Sequence, residues 1–439
     1  MQNNRSGWTL GFCLALSILL SPSIGRAGDT TNSDSISHAP PGGFALRDGD
    51  RVVFLGDSIT EQKLYSSLIE MFALTRFPEW DLRFRNAGWS GDTAGGGVSR
   101  LDRDVLSFNP TLVTVKFGMN DHGYGPFVPE RCRAYVNAQD QIARKLKEKG
   151  ARVVFLTPQP IEDKRTDPDK DVRNLSLRQY SDGLQTVAAS NKAAFVDQFD
   201  PYMTFLVSRH ATNAAASVGG GDAIHPGPAG QTLMAWIILK SLGAPALVSS
   251  ADVDAAAVKV TAAEGCQIEK LQVADGILRF DRLDRALPMP VLPGAEAALS
   301  LAPVLNDLSR YLLKVSGLKA PRYTLTVDGE KTGEFTSEEL AAGCNLTRQA
   351  GPITRQAQQV MTLVNQKNAA FFVRWRQVQL FQIPAWLQVR LDVESLRKAE
   401  LDTMDKSIAG LEDQINASRK PKTHCFELKP VEQAAAPVR

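Results

Sequence analysis

The chain has 439 residues, of which 43% are hydrophobic and 22% are charged, and this balance excludes a disordered or fibrous protein. It carries 50 lysines and arginines against 48 aspartates and glutamates, so no basic excess indicates nucleic acid as a partner. At about 100 to 200 residues per domain, the length predicts two or three domains.

The N-terminal 27 residues have the layout of a secretory signal peptide. An apolar run extends from residue 10 to residue 20, and the small residues Gly25 and Ala27 fit a cleavage site. Because a membrane-spanning helix needs about 20 apolar residues, an uncleaved membrane anchor is the less favoured alternative. We predict a signal peptide at 1–27, a linker at 28–46 and a periplasmic or secreted protein with no membrane span after cleavage.

Four cysteines follow the predicted signal peptide, and they are isolated from one another in the sequence. None belongs to a Cys-x-x-Cys pair, and four thiols allow three different pairings. The sequence therefore leaves open the disulfide state of Cys132, Cys266, Cys344 and Cys425.

From residue 47 to about residue 245, short β-rich apolar runs alternate with helical patterns. The clearest predicted strands are 51–55, 111–115 and 152–156, and weaker ones are 82–85 and 194–196. Helical patterns lie at 64–74, before Gly150 and at 228–242. This alternation predicts an α/β domain with a parallel sheet and helices on both faces. In such sheets, ligands bind at the carboxyl ends of the strands.

Beyond residue 245 the pattern changes to hairpins and then to helices. Asp275-Gly276 and Asp328-Gly329 are strong hairpin turns, and a capping box at 336–339 predicts a short helix. Helical spacing continues at 353–377 and at 401–415, where the apolar stripe covers about two heptads, which favours packing on the chain's own core over a coiled coil. We predict a β-rich accessory segment at 246–345 and a helical C-terminal region at 346–439.

The first candidate site residue is Ser58, in the run Gly56-Asp57-Ser58-Ile59-Thr60 that follows the strand predicted at 51–55. A serine between the carboxyl end of a strand and a helix has its hydroxyl in the ligand crevice and backbone N–H groups beside it. This arrangement suits a nucleophile, and a helix N-cap is the alternative role of such a serine.

Three further runs follow later in the chain. Gly88 lies in the run 86–93, where a glycine lets a backbone N–H face a ligand. Asn120 lies in the run 118–121, and its amide is a neutral donor suited to an oxyanion. Asp222 stands three residues before His225, a spacing at which a carboxylate can orient an imidazole. Taken singly, each of these residues also fits an ordinary turn or surface role.

Together the four runs resemble the motif blocks of the SGNH hydrolase family, also called the GDSL esterase and lipase family. The serine block has Ile59 where the family usually has leucine, a conservative departure, and the order and spacing of the other three blocks agree. The resemblance covers residues 47–245, which we predict to be an SGNH hydrolase domain. It implies a flavodoxin-like three-layer α/β/α fold and ester hydrolysis without a metal or an organic cofactor.

The resemblance also implies a role for each matching residue. Ser58 would be the nucleophile, His225 the general base and then the acid, and Asp222 the residue that orients His225. The oxyanion hole would comprise the backbone N–H groups of Ser58 and Gly88 and the side-chain amide of Asn120. The chemistry requires such a set, because a serine hydroxyl needs a base to take its proton and the tetrahedral intermediate needs hydrogen-bond donors.

Together with the predicted export, the resemblance implies an exported serine esterase that removes an acetyl group from a carbohydrate or a related alcohol, with a small-molecule or glycan ester as its substrate. A lipase or lysophospholipase that uses the same residues is one alternative, and a non-catalytic binding or scaffolding protein that uses the C-terminal half is another. Trp89, His122 and Tyr124 follow motif blocks and are candidates for a substrate subsite, with packing roles as the alternative. Protein partners and oligomeric state stay open.

Overall fold

A five-stranded parallel sheet lies at the centre of the N-terminal half of the protein. The computed structural model describes residues 43–214, 216–388 and 392–432, so the predicted signal peptide and nearly all of the predicted linker lie outside the described residues. The strands are β1 (Arg51–Gly56), β2 (Arg83–Gly88), β3 (Leu112–Lys116), β4 (Arg152–Leu156) and β5 (Ala194–Val196). Their order is β2-β1-β3-β4-β5, and every neighbouring pair is parallel. The predicted parallel sheet is confirmed.

Helices cover both faces of this sheet. They are α1 (Ser58–Glu61), α2 (Leu64–Arg76), α3 (Ala94–Asp104), α4 (Pro129–Glu148), α5 (Val172–Ser190), α6 (Phe199–Thr212) and α7 (Pro228–Ser241). Alternate residues of β1 point to opposite faces, so Val52 and Phe54 pack with α2 and α7 while Val53 and Leu55 pack with α3 and α4. This three-layer α/β/α arrangement confirms the predicted fold class. It leaves the carboxyl ends of the strands as the edge at which a ligand can bind.

The second half of the chain contains two further sheets that share one apolar core. Its strands are β6 (Leu247–Asp254), β7 (Lys259–Glu264), β8 (Cys266–Ala274), β9 (Ile277–Asp284), β10 (Arg310–Ser316), β11 (Arg322–Val327), β12 (Glu330–Thr336), β13 (Cys344–Asn345) and β14 (Thr423–Pro430). The sheet orders are β13-β10-β6-β7 and β12-β11-β14-β9-β8. The hairpins β8–β9 and β11–β12 turn at the two predicted Asp-Gly pairs, whose four residues all have positive φ.

Strand β14 corrects one expectation, because its residues lie within the segment 346–439, which we predicted from sequence to be helical. The strand lies between β9 and β11 and pairs antiparallel with both. Its apolar residues Phe426 and Leu428 are buried in the core of the two sheets. The segment has no Asp-Gly turn and no strand beside it in the sequence, so the local signals that identified the other hairpins were missing.

Helices connect and cover these sheets. They are α8 (Glu296–Leu301), α9 (Val304–Leu308), α10 (Ser337–Ala342), α11 (Pro352–Val373), α12 (Ala385–Gln388) and α13 (Val393–Ser418), with a π-helix at Arg374–Gln379 directly after α11. Helix α10 begins with the predicted capping box between Thr336 and Glu339. Helices α11 and α13 pack against each other, and Ile408 and Ile415 of the apolar stripe are buried. The predicted packing of this stripe on the chain's own core is confirmed.

The helical C-terminal region is joined to the N-terminal half of the chain by polar contacts as well as by apolar packing. Lys367 of α11 forms a buried ion pair with Glu70 of α2. The neighbouring Asn368 donates to the second carboxylate oxygen of Glu70 at 3.0 Å and to Ser67 Oγ at 3.1 Å. Because both charges are buried, each depends on the other for compensation, and the pair ties α11 to α2.

Two further observations concern membrane-spanning helices and the cysteines. Within residues 43–214, 216–388 and 392–432, no helix has the length and apolar character needed to cross a membrane. The four cysteines in these ranges, Cys132, Cys266, Cys344 and Cys425, are free thiols.

Candidate active site

Ser58 lies at the carboxyl end of β1, as the first residue of α1. The Asp57 carboxylate caps this helix by accepting a hydrogen bond from the Ile59 N–H at 3.0 Å. A Cβ on Gly56 would lie 2.2 Å from Thr60 Oγ1 and 2.7 Å from the Lys116 carbonyl oxygen, so only glycine fits this turn. In the part of the chain that the structure describes, the Ser58 backbone N–H has no protein acceptor, which leaves it available to a ligand.

Ser58, His225 and Asp222 lie in contact, although the serine is 167 residues from the histidine in sequence. The His225 Nε2 atom is 2.9 Å from Ser58 Oγ. On the other side of the ring, His225 Nδ1 is 3.0 Å from Asp222 Oδ2 and 3.2 Å from Oδ1. An imidazole in this position can take the serine proton while the carboxylate holds the proton on Nδ1.

The Asp222 carboxylate also shapes the loop that carries His225. Its Oδ1 atom accepts the backbone N–H groups of Ile224 and His225, each at 2.7 Å. Burial raises the pKa of this carboxyl, but the two backbone N–H groups and the imidazole outweigh that effect and lower the pKa below its usual range. Asp222 therefore keeps its negative charge toward His225 at neutral pH.

Other side chains also hold the loop that carries His225 in place. Gln159 donates to the Ile224 carbonyl oxygen at 3.0 Å. The Glu162 carboxylate accepts backbone N–H groups from Val218 at 2.6 Å and Gly219 at 2.8 Å. A Cβ on Gly221 would lie 1.9 Å from the His225 carbonyl oxygen, so glycine is needed for this close packing. The sequence does not mark these supporting residues, because their contacts form only when residues 159–162 and residues 218–225 fold against each other.

Asn120 lies on the loop after β3, at the same edge of the sheet. Its Nδ2 donates to the Asp92 carbonyl oxygen at 2.7 Å, and its Oδ1 accepts the Tyr124 hydroxyl at 2.6 Å. An amide nitrogen carries two hydrogens, so the second one is left for a ligand. Tyr124 is 42% exposed and therefore borders the site, whereas the other subsite candidate on this loop, His122, is fully buried.

Gly88 departs from its expected role. Its backbone N–H donates to Asn86 Oδ1 at 3.0 Å, so this donor is not free for an oxyanion. A Cβ on Gly88 would lie 2.2 Å from the backbone nitrogen of Glu61, which shows why glycine is needed there. The residue lets β2 approach the helix that begins with Ser58.

Gly91, three residues later, has the property that we expected of Gly88. It lies in the turn closed by the Asp92 N–H and the Trp89 carbonyl oxygen at 3.1 Å, with a φ of 75° that favours glycine. In the described ranges, its N–H has no protein acceptor. Gly91 belongs to the same motif block as Gly88, and only its φ and its unbonded N–H, both visible in the structure, distinguish it from Gly88.

Two buried charges lie beneath the serine. Burial raises the pKa of Asp57, and the nearby Lys116 ammonium opposes that rise. Burial has the opposite effect on Lys116 and lowers the pKa of its ammonium group. The Lys116 Nζ donates to Gln159 Oε1 at 2.8 Å. Gln159 therefore links the ammonium group to the loop that carries His225.

Among the residues that the structure describes, no cluster of three or more His, Cys, Asp or Glu side chains could hold a metal ion.

The fold and the site define a hydrolase of the α/β/α type. Residues 54–233 match the model of the GDSL-like Lipase/Acylhydrolase family, and Ser58, Asn120, Asp222 and His225 all lie within this range. This part of the chain is a domain of that family, and the protein is a carboxylic ester hydrolase.

Three similar proteins follow, and two of them are named as esterases. An acetylxylan esterase from Geobacillus stearothermophilus is 25% identical over 217 residues, which are 44% of this chain and 94% of that protein. Esterase TesA from Pseudomonas aeruginosa is 28% identical over 166 residues, 37% of this chain and 72% of that protein. The solved structure of BT4096, a gut microbial diltiazem-metabolizing enzyme, is 27% identical with a TM-score of 0.77, covering 88% of this chain and 98% of that one. The last similarity extends over the C-terminal half as well.

Proposed function

We propose that the protein is an exported serine esterase that removes an acetyl group from a carbohydrate or a related alcohol. The observation that carries this proposal is the contact of 2.9 Å between Ser58 Oγ and His225 Nε2, with Asp222 on the far side of the ring. The similarity to an acetylxylan esterase supports the acyl group and the carbohydrate. The signal-peptide pattern of residues 1–27 supports export.

The reaction proceeds in two halves. Ser58 Oγ attacks the ester carbonyl carbon while its proton passes to His225 Nε2, and the imidazolium then protonates the departing alcohol oxygen. In the second half, water attacks the acyl-serine, His225 takes one water proton, and that proton passes to Ser58 Oγ as the carboxylic acid leaves. Asp222 holds the ring in the tautomer that has Nε2 free as a base, and it stabilises the imidazolium.

The tetrahedral intermediate of each half carries an oxyanion. We assign its donors to the backbone N–H of Ser58, the free amide hydrogen of Asn120 and the backbone N–H of Gly91. Within the described residues, the N–H groups of Ser58 and Gly91 have no protein acceptor, whereas the Gly88 N–H already donates to Asn86 Oδ1. Loss of one such donor costs on the order of 10² to 10³ in rate, so each is a large contribution.

The test compares hydrolysis of p-nitrophenyl acetate by the wild type, Ser58→Ala and Ser99→Ala. Ser99 is the matched control, because it lies on α3 with its hydroxyl bonded to the Gly95 carbonyl oxygen. We expect Ser58→Ala to lose activity by a factor on the order of 10⁴ or more and Ser99→Ala to keep it. Equal rates for Ser58→Ala and the wild type would refute the proposal.

Substrate preference is measured on the active enzyme. We expect acetyl esters to be hydrolysed faster than long-chain acyl esters, and acetate to be released from acetylated xylooligosaccharides. A preference for long acyl chains would instead indicate a lipase that uses the same residues.

A further inference from the structure

The helical C-terminal region reaches the rim of the candidate site through its π-helix. The wide turn of this π-helix is closed by the Leu380 N–H, which donates to the carbonyl oxygen of Trp375, five residues earlier, at 3.1 Å. Such turns occur often at functional sites in proteins. Trp375 is buried and its indole N–H donates to Asp104 Oδ1 at 3.0 Å, which attaches the π-helix to α3 of the hydrolase domain.

The next residue, Arg376, contacts two residues close to Ser58. Its Nη1 atom is 2.9 Å from Glu61 Oε2, on the short helix that begins with Ser58. Its guanidinium carbon lies 3.7 Å from the centre of the Trp89 ring. Trp89 is the first residue of the turn that carries Gly91, so the arginine touches both the nucleophile's helix and this turn.

Glu61 connects these contacts to the backbone of the turn. The same Oε2 atom that binds Arg376 accepts the Ser90 N–H at 2.7 Å. Ser90 directly precedes Gly91, so two consecutive residues before the free N–H are held, Trp89 by stacking and Ser90 by a charge-assisted hydrogen bond. The side chains of Arg376 and Glu61 are only 22% and 20% exposed, so water screens this pair less than it screens a surface pair.

We propose that Arg376 is a positioning residue for ester hydrolysis. It holds the turn of residues 89–92 so that the Gly91 N–H lies where the oxyanion forms, which makes the C-terminal region part of the catalytic unit. The inference rests on the proposed function, because it needs an oxyanion at this site.

Arg374 provides a matched control on the same π-helix. Its guanidinium pairs with Asp405 of α13, with Nε 2.5 Å from Oδ1 and Nη2 2.7 Å from Oδ2. Arg374→Ala therefore removes an arginine that joins the two C-terminal helices, whereas Arg376→Ala removes one that joins the C-terminal region to the candidate site. Thermal unfolding of both variants verifies that they are folded.

The experiment measures kcat and KM for p-nitrophenyl acetate in the wild type, Ser58→Ala, Arg374→Ala, Arg376→Ala and Arg376→Lys. We expect Arg376→Ala to lower kcat by about 10-fold to 100-fold, as for a donor displaced by up to an ångström, with KM changed by less than about two-fold. Arg376→Lys keeps the charge beside Glu61 but lacks the planar group that stacks on Trp89, so its kcat should lie in between. Guanidinium ion at a non-denaturing concentration should restore part of the kcat of Arg376→Ala.

Three outcomes would overturn the inference: equal kcat for Arg376→Ala and Arg374→Ala, a change in KM alone, or no rescue by guanidinium. The Ser58→Ala variant separates this failure from a failure of the proposed function. If Ser58→Ala keeps wild-type activity, the proposed function itself is wrong. If Ser58→Ala is inactive while Arg376→Ala matches Arg374→Ala, only the role of Arg376 is wrong.

Discussion

Replacing Asp222 with asparagine tests how His225 is oriented. In the wild type, Asp222 Oδ1 accepts two backbone N–H groups at 2.7 Å, and Oδ2 lies 3.0 Å from His225 Nδ1. An asparagine keeps its oxygen on the two backbone donors, so its NH2 group must face Nδ1. It then donates to Nδ1 and places the ring proton on Nε2, beside Ser58, where a base is needed.

The expected loss follows from the bond that is replaced. A hydrogen bond to a charged group contributes about 1.5 to 3 kcal/mol, which corresponds to roughly 10-fold to 150-fold in rate. The Asp222 side chain is 65% exposed, so solvent screening weakens this contribution, but the wrong tautomer of His225 adds to the loss, and we expect a decrease between about 10-fold and 10⁴-fold. Because the pKa of Asp222 is lowered, the orienting charge persists at neutral pH and is lost only as pH falls through that lowered value.

The assay is kcat/KM on p-nitrophenyl acetate for the wild type, Asp222→Asn and Asp222→Ala across neutral and alkaline pH. We expect both variants to lose activity: Asp222→Asn because it holds the ring in the wrong tautomer, and Asp222→Ala because it removes the orienting carboxylate and the acceptor of the two backbone N–H groups. A wild-type rate in Asp222→Asn would refute the orienting role of the carboxylate.

Two further predictions concern packing. In Gly88→Ala, the new methyl group would lie 2.2 Å from the Glu61 backbone nitrogen, against about 3.5 Å for an ordinary contact, so β2 and α1 must move apart. We expect a loss of kcat of about 100-fold for a displacement of about 1 Å, measured with p-nitrophenyl acetate, and an unchanged kcat would contradict the packing role of Gly88. In Lys367→Met, the Glu70 carboxylate stays buried without its partner, and we expect a loss of about 3 to 5 kcal/mol in the free energy of unfolding by urea. The double variant Lys367→Met/Glu70→Leu should recover most of it, and a double variant no more stable than the single one would contradict this.

The central sheet and its serine could be predicted because their signals are local. Short apolar runs between helical patterns predicted all five parallel strands, and the two Asp-Gly pairs predicted two hairpins. Ser58 could be selected because a strand, a short polar run and a helix follow one another directly. Such signals depend on only a few neighbouring residues, so they can be identified in a single sequence.

The donors around Ser58 could be predicted only in part. Two glycines, Gly88 and Gly91, belong to one motif block, and either could present its N–H to a ligand. The choice depends on Asn86, whose side-chain oxygen accepts the Gly88 N–H. It also depends on a φ of 75° at Gly91. Neither property follows from the spacing of residues along the chain.

The sequence by itself determined the fold class of the first half, the motif blocks and the family they resemble, since these depend on residue type and local spacing. Only the tertiary structure decided that β14 inserts between β9 and β11, and that Arg376 lies against Glu61, 315 residues away in the chain. The physical reason is that pairings of this kind depend on which surfaces complement each other after folding. No local pattern marks the two partners, so they become visible only when the chain is packed.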